Sequence, residues 1–395
     1  MTGFSTRAVQ TGFTPDPLTG AVVPPLTLAS TFVLKDIENS AEGYDYSRSG
    51  NPTRDAYCSA LASLESGEAA KAFPSGLSAE DTLIRILTKP GDTILYGKDA
   101  YGGTGRLFTW VLPHEGRTTL RIDTTNVAEI RAALEQTKAT LLWLETPSNP
   151  QLEITDIAAA VDVAHKAGAR VVVDNTFATP VFTRPIELGA DVVVHSTTKF
   201  IGGHSDLVGG AAIFAPNLSL GHQGLSETDS VVEEVGWWQN AVGCVPGPFD
   251  CWLAHRGLRT LNARVRAANA SAQKVAEALT EFPLIETVLY PGLPGHPGHD
   301  IAARQMGGFG AIISFIVGSR ETAKVVCENT SIFRLAVSLG AAESLIEFPN
   351  AMTHASLAAT SDAAPANLIR LAIGLEDPED LIEDLRQAFD KAGRA

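Results

Sequence analysis

Residues 169–206 read ARVVVDNTFATPVFTRPIELGADVVVHSTTKFIGGHSD. Two β-branched runs lie in this stretch, Ala169–Val173 and Asp191–His195. Each ends in polar side chains, Asp174 after the first and Ser196, Thr197, Thr198 and Lys199 after the second. Unbroken Val runs are what strands buried on both faces require, because a polar side chain at every second position would be driven into a dry layer. Working outward, Thr53–Leu64, Leu77–Thr88 and Ile157–Ala167 carry apolar residues at helical spacing, while Thr93–Tyr96, Leu141–Leu144 and Gly210–Phe214 are short apolar runs. Alternation of the two periods predicts a doubly wound α/β domain with a mostly parallel sheet. Ligands settle at the strand ends of such sheets, which is where the polar residues fall.

Past Gly247 the texture changes. A long helical stretch, Asn262–Glu281, is followed by the turn-rich YPGLPGHPGHD, an apolar strand Ala311–Val317 and a last helix after Asp377-Pro378. This is the pattern of a smaller α+β domain. The first 50 residues are rich in Pro, Gly and Thr with little helical period, which reads as an extended arm lying on a neighbouring subunit. The predicted division is an arm over 1–50, the α/β domain over 51–249 and the α+β domain over 250–395, with no internal repeat.

Bulk properties exclude several functions. With 395 residues, 45% of them hydrophobic and 19% charged, the chain has enough apolar material for a large core. A net charge of −15 and a pI near 5.0 argue against a nucleic-acid partner, which needs clustered Lys and Arg. The four cysteines, Cys58, Cys244, Cys251 and Cys327, show neither C-x-x-C nor His-paired spacing, so neither a metal site nor a disulfide framework is expected. The N-terminal MTGFSTRAVQTGF has no basic and apolar leader pattern, and no apolar run approaches the ~18 residues of a membrane span. A soluble cytoplasmic protein is the expectation.

The chemistry starts at Lys199. A lysine just beyond a buried strand, partly desolvated and flanked by hydroxyls, is suited to form a Schiff base with an aldehyde cofactor, and Ser196 and Thr198 could donate to a phosphate. Most lysines are solvated, and a strand-end lysine alone proves little. Twenty-five positions earlier, however, Asp174 ends the other buried run, where a carboxylate could keep a pyridine nitrogen protonated. A lone strand-end Asp is usually a turn cap, so the pairing with Lys199 is what counts. Pro74-Ser75-Gly76-Leu77-Ser78 opens a helix whose first N–H groups, at Gly76 and Leu77, suit a phosphate, although Ser-Gly is also a common cap.

The segments STTKFIGGHSD, VVDNTF, ETPSNP, DAYGGT, YDYSRSGNPTRD and SLGAAESL together resemble the Cys/Met-metabolism family of pyridoxal-phosphate (PLP) enzymes. That family includes cystathionine γ-synthases and γ-lyases, methionine γ-lyases and homoserine sulfhydrylases. The similarity runs from TGAVVPP to LIRLAIGLEDPEDL. It implies the fold type I, aspartate-aminotransferase-like architecture, with PLP on Lys199 and Asp174 at the pyridine nitrogen. It also implies Tyr101 stacked on the ring and assisting proton transfer, and Gly76, Leu77, Ser196 and Thr198 around the phosphate, Leu77 standing where many relatives have Met. Tyr46 and Arg48 would reach a neighbour's phosphate, which makes the active unit at least a dimer; the family pattern is a homotetramer of two dimers. Asn149 would lie near the cofactor's phenolic oxygen, and Arg370, helped by Ser338, would clamp the substrate α-carboxylate.

The substrate's far end gives conflicting signals. Arg106 and the segment QNAVGCVPGPFDCW resemble cystathionine-handling enzymes, whose distal amino-acid group needs a charged partner. Val337 stands where those enzymes usually have Glu, and an unpaired distal ammonium there would cost on the order of 1 to 3 kcal/mol. Gly103 replaces the cysteine of typical methionine γ-lyases, and NLSLGHQGLSETDSVVEEVG resembles no group. The expectation is a γ-lyase acting on methionine or a related sulfur amino acid, releasing 2-oxobutyrate, ammonia and a thiol. The alternatives are a cystathionine γ-synthase or γ-lyase, an aminotransferase, and a catalytically silent binding protein of the same fold. Trp237 and Trp238 are assigned nothing, and His204 is read as a structural turn residue.

Overall fold

The computed structural model describes residues 2–40, 43–353 and 364–394. Its strands are β1 (Ala69–Phe73), β2 (Thr93–Gly97), β3 (Thr118–Ile122), β4 (Leu141–Glu145), β5 (Arg170–Asp174), β6 (Val192–Ser196), β7 (Gly210–Phe214), β8 (Ile285–Leu289), β9 (Ile312–Val317), β10 (Arg334–Leu335), β11 (Leu345–Glu347) and β12 (Leu368–Ala372). Contacts group the chain into two compact units, the first formed by residues up to Lys89 with Arg184–Asn262 and the second by Pro90–Thr183 with the chain from Ala263 onward.

In the first unit β7 pairs antiparallel with β1 and with β6. The β7 register sets Phe73 opposite Gly210 and Ser196 opposite Gly210, so β1 and β6 end level with each other. The apolar run of β7 predicts one more parallel strand. The strand is antiparallel because the return segment 197–209 contains turns and no crossover helix, which a parallel neighbour would require. All five β7 residues are buried, which produces the same unbroken apolar run as a parallel strand.

The second unit carries the parallel layer: β4 pairs parallel with β5 and with β2, and β2 with β3. Helices Val127–Thr137 and Ile157–Lys166 alternate with these strands, each opened by a side chain that accepts from first-turn N–H groups, Asn126 and Asp156 respectively. A five-stranded sheet in the order β10-β11-β12-β9-β8, with helices Arg320–Glu328 and Pro378–Ala392, supplies the predicted α+β part. The α/β fold class with a mostly parallel sheet is therefore what the chain adopts.

Two readings are corrected. The first 50 residues hold a helix, Phe4–Gln10, before the irregular chain begins. The long helix runs Pro248–Leu279 and starts 14 positions before the predicted Asn262. Gly257 hid its beginning, since a mid-helix glycine costs about 1 kcal/mol and reads as a breaker. The glycine has a packing cause: a Cβ there would lie 2.3 Å from the Ile201 carbonyl oxygen and 2.5 Å from that of Gly202. The helix backbone thus rests directly on the turn that follows Lys199.

The same helix fastens the N-terminal segment through His255, whose Nε2 donates to the Thr11 carbonyl at 3.0 Å and whose ring packs on Phe13. Gly12, at φ 77°, leaves no room for a side chain between Ala56 and this ring. Burial pushes the His255 pKa down to about 4, and His296 in the second unit is likewise held at about 4 by burial. Each binds its proton more weakly folded than unfolded. Stability is therefore complete above the ordinary value of 6.5 and is lost as pH falls toward 4, by up to roughly 3 kcal/mol for each histidine. The urea midpoint should fall steadily between pH 6.5 and pH 4, and His255→Gln should flatten that slope; an unchanged slope would sink the assignment to His255.

Candidate active site

Lys199 sits one turn beyond β6, on a segment fixed by backbone hydrogen bonds. Its N–H donates to the Ser196 carbonyl at 3.2 Å, its carbonyl accepts from Gly203 at 2.8 Å, and the Gly202 N–H donates to Thr197 O at 2.8 Å. The lysine is half-buried. Beneath it, buried His195 and Glu65 are 2.6 Å apart across a hydrogen bond. Helix Gly76–Leu87 begins beside the same strand end. Ser75 caps Ser78, while the first-turn N–H groups of Gly76 and Leu77 have no intrahelical acceptor. A Cβ on Gly76 would meet Ser196 Cβ at 3.0 Å, and one on Gly210 would meet Ser75 O at 2.1 Å. Only glycines let the helix start, Ser196 and β7 come this close.

Thr198 has a second occupation. Its hydroxyl donates to the Gly209 carbonyl at 3.2 Å and accepts from the Gly209 N–H at 3.0 Å, closing the 197–209 loop. Tyr46 and Arg48 lie on an exposed turn, with the guanidinium 5.2 Å from the Tyr46 ring centroid and Arg48 Nε donating to Asn240 at 3.0 Å. Arg54 donates to the carbonyls of Ser47 and Arg48 and holds that turn from below.

In the second unit Asp174 ends β5, buried, its Oδ1 accepting from the Thr176 N–H at 2.8 Å. Opposite it in register on β4 is Glu145, whose Oε2 accepts the Tyr101 N–H at 2.8 Å. Tyr101 caps a short helix, Gly102–Arg106, that passes directly into a π-turn at Leu107–Val111. Such a turn reorients the residues around it, here half-buried Arg106.

Arg370 lies in the middle of β12. Nη1 donates to Asn149 Oδ1 at 2.8 Å, Nη2 donates to the Ser338 carbonyl at 2.9 Å, and Glu347 Oε2 is 2.7 Å from Nη2. Ser338 takes a positive φ of 94°, and the hydrogen bond uses its backbone carbonyl. Burial pulls the Arg370 pKa below its ordinary value, opposed by the charge of Glu347 and by Tyr101 and Glu145. Since Asn149 Oδ1 is occupied by the guanidinium, its amide NH2 is the group left to donate. Val337, beside Ser338, is 55% exposed.

Residues 5–390 match the Cys/Met metabolism PLP-dependent enzyme family. The chain belongs to that family. It is 45% identical over 390 residues to the cystathionine gamma-synthase of Mycobacterium tuberculosis, covering 98% of this chain and 97% of that protein. Among solved structures, metB from Corynebacterium glutamicum superposes with a TM-score of 0.94 at 43% identity, covering 99% of this chain and 98% of that one. The cystathionine gamma synthase of Xanthomonas oryzae pv. oryzae, solved with cystathionine, gives 0.92 at 41% identity, covering 100% and 99%. The protein is thus a PLP-dependent enzyme of the carbon-sulfur lyase and γ-synthase class, with the fold of that class.

The residues present fit the cofactor. The glycine-lined helix start beside Ser196 and Thr198 has the donors and the space a phosphate needs, and Lys199 is held on the same turn. Among the described residues no helix is long and apolar enough to cross a membrane. Two residues were missed from sequence. Glu347 follows SLGAAESL without any pattern of its own, and Glu145 reads simply as the end of an apolar run. Glu347 meets Arg370 through the register of β11 with β12, and Glu145 meets the Tyr101 N–H 44 positions away, neither of which short-range spacing reveals.

Proposed function

We propose that the protein is a cystathionine γ-synthase, which joins the thiol sulfur of cysteine to the γ-carbon of an O-acylhomoserine as the Cγ–O bond breaks and the acyl group leaves as a carboxylic acid, taking up the thiol proton. Half-buried Arg106, at the end of the helix that Tyr101 opens, carries this reading: it is a cation suited to a distal carboxylate, which cysteine and cystathionine possess and methionine lacks. The names of the relatives support the same choice over the methionine γ-lyase expected from sequence. Val337 favours that second reading, since an apolar residue does nothing for a distal ammonium.

PLP, when bound, supplies the electron sink for negative charge developing at the substrate's Cα and Cβ. Arg370 holds the α-carboxylate, its guanidinium set by Asn149, Glu347 and the Ser338 carbonyl. Lys199 Nζ removes the Cα proton and moves protons between Cα, Cβ and the leaving group, with Tyr101 assisting. Asp174 would keep the cofactor's pyridine nitrogen protonated. Gly76, Leu77, Ser196 and Thr198 would hold the phosphate.

The apolar arm, with Leu18 93% and Ile37 98% exposed, supports a homotetramer built from two dimers in which Tyr46 and Arg48 complete the neighbour's phosphate site. Arg48→Ala should raise the Kd for PLP about tenfold, the usual worth of one hydrogen bond to a charged group, as read by cofactor titration after dialysis. Unchanged retention would contradict the shared site. The activity test offers the PLP-loaded enzyme O-acylhomoserine with cysteine, and methionine in a parallel reaction. Cystathionine from the first supports the synthase, while methanethiol from methionine without cystathionine from the first returns the reading to the γ-lyase.

A further inference from the structure

A second polar pocket lies in the first unit, walled by Val9, His204, Arg256, Arg259 and Thr260, with a volume of about 360 Å³. Its walls are helix Phe4–Gln10, the turn that follows Lys199, and one face of helix Pro248–Leu279, where Arg256, Arg259 and Thr260 are spaced to share that face. In a chain of net charge −15, this wall carries two guanidinium groups and no carboxylate. Among the described residues neither arginine has a carboxylate partner. Arg259 is held by the Phe13 ring, its guanidinium carbon 4.3 Å from the centroid, and presents a fixed fork. His204 Nδ1 donates to the Gly202 carbonyl at 2.8 Å, so Nε2 is the ring atom left for a ligand, an acceptor in the neutral ring and a donor to an anion in the imidazolium form.

We propose that this pocket binds a small phosphate-bearing anion at a second site, separate from the cofactor's phosphate. The two guanidiniums form a donor set matched to several anionic oxygens, while the Thr260 hydroxyl donates to the Gly257 carbonyl at 3.2 Å within its own helix. The volume exceeds what a bare phosphate fills and falls in the range of small-molecule sites. The site is coupled to Lys199 by position. His204 belongs to the turn on which Gly257 of the helix rests, so an anion bridging Arg256 and the imidazolium form of His204 fastens the lysine's turn to the helix from a second side. Occupancy therefore stiffens the segment that presents Lys199, and it raises the thermal midpoint of the loaded enzyme.

The test titrates pyrophosphate into the PLP-loaded enzyme by calorimetry at an ionic strength fixed with NaCl, so that the cofactor's cradle is already filled and screening is constant. The wild type should bind saturably, and Arg256→Ala should weaken binding about tenfold or more, with Arg256→Lys intermediate. Arg256 is exposed, so the alanine variant should keep its fold and its turnover without pyrophosphate. Absence of saturable binding in the wild type overturns the proposal. So does an affinity that Arg256→Ala leaves unchanged, which would put the pyrophosphate elsewhere. Gel filtration supplies the remaining readout: if Arg256→Ala lowers the oligomeric state, the pocket is a subunit contact and the proposal fails.

Discussion

Lys199→Ala is expected to lower kcat on the order of 10⁴-fold while leaving the fold in place. The backbone of the turn supports the second half of that expectation. Lys199 donates its N–H to Ser196 and accepts from Gly203 through main-chain atoms, and Gly202 bonds to Thr197, so these three bonds of the turn persist when the side chain is changed. Removing the amine deletes a proton carrier and leaves those main-chain bonds in place. Lys199→Arg should be nearly as inactive, because a guanidinium remains charged at any accessible pH and cannot accept the Cα proton. Both variants should still bind PLP through the phosphate cradle, now reversibly, and lose the visible band of the covalently held cofactor. Turnover within tenfold of wild type in Lys199→Ala would remove Lys199 from the mechanism and leave the family assignment untouched.

The legibility of this turn in the sequence has a physical basis. The runs ahead of Asp174 and Lys199 are buried on both faces, so burial alone dictates an apolar string, and the polar residues that break it stand at the strand ends. β3, TTLRI, escaped because it is buried only at Ile122 and two of its other positions are exposed. β1, AAKAF, escaped because Ala is a poor strand signal and Lys71 interrupts it. The start of the long helix was hidden by Gly257, whose reason lies 56 positions away at Ile201. The same limit applies within the site. Lys199, Ser196 and Thr198 share one local segment, so the sequence presents them together. The Arg370 cluster gathers residues from 149, 338, 347 and 370, and Glu347, the member without a sequence signal, becomes a neighbour of Arg370 through the pairing of β11 with β12.

That cluster gives the other large effect. Arg370 is 2% exposed and Glu347 1%, so Arg370→Ala strands a carboxylate in a dry interior. Breaking such a pair by removing one member costs about 3 to 5 kcal/mol, a large part of the stability of most domains. Arg370→Ala should therefore lower the thermal midpoint sharply and lower kcat/KM by 10²-fold or more, on the order of a lost charge-assisted pair. The two effects have different origins and can be separated. Arg370→Leu combined with Glu347→Leu removes both charges, and a buried ion pair replaced by apolar groups is commonly neutral or stabilising. Thr353, which donates to Glu347 Oε1 at 2.7 Å, loses one bond at a partly exposed position. The double variant should recover most of the thermal midpoint and none of the activity, since nothing in it can hold a substrate carboxylate. Recovery of activity together with stability would show that Arg370 serves the sheet and leaves substrate binding to other groups. Recovery of neither would mean that the Asn149 and Ser338 bonds hold the site more firmly than the ion pair, and would move the structural weight of the cluster onto them.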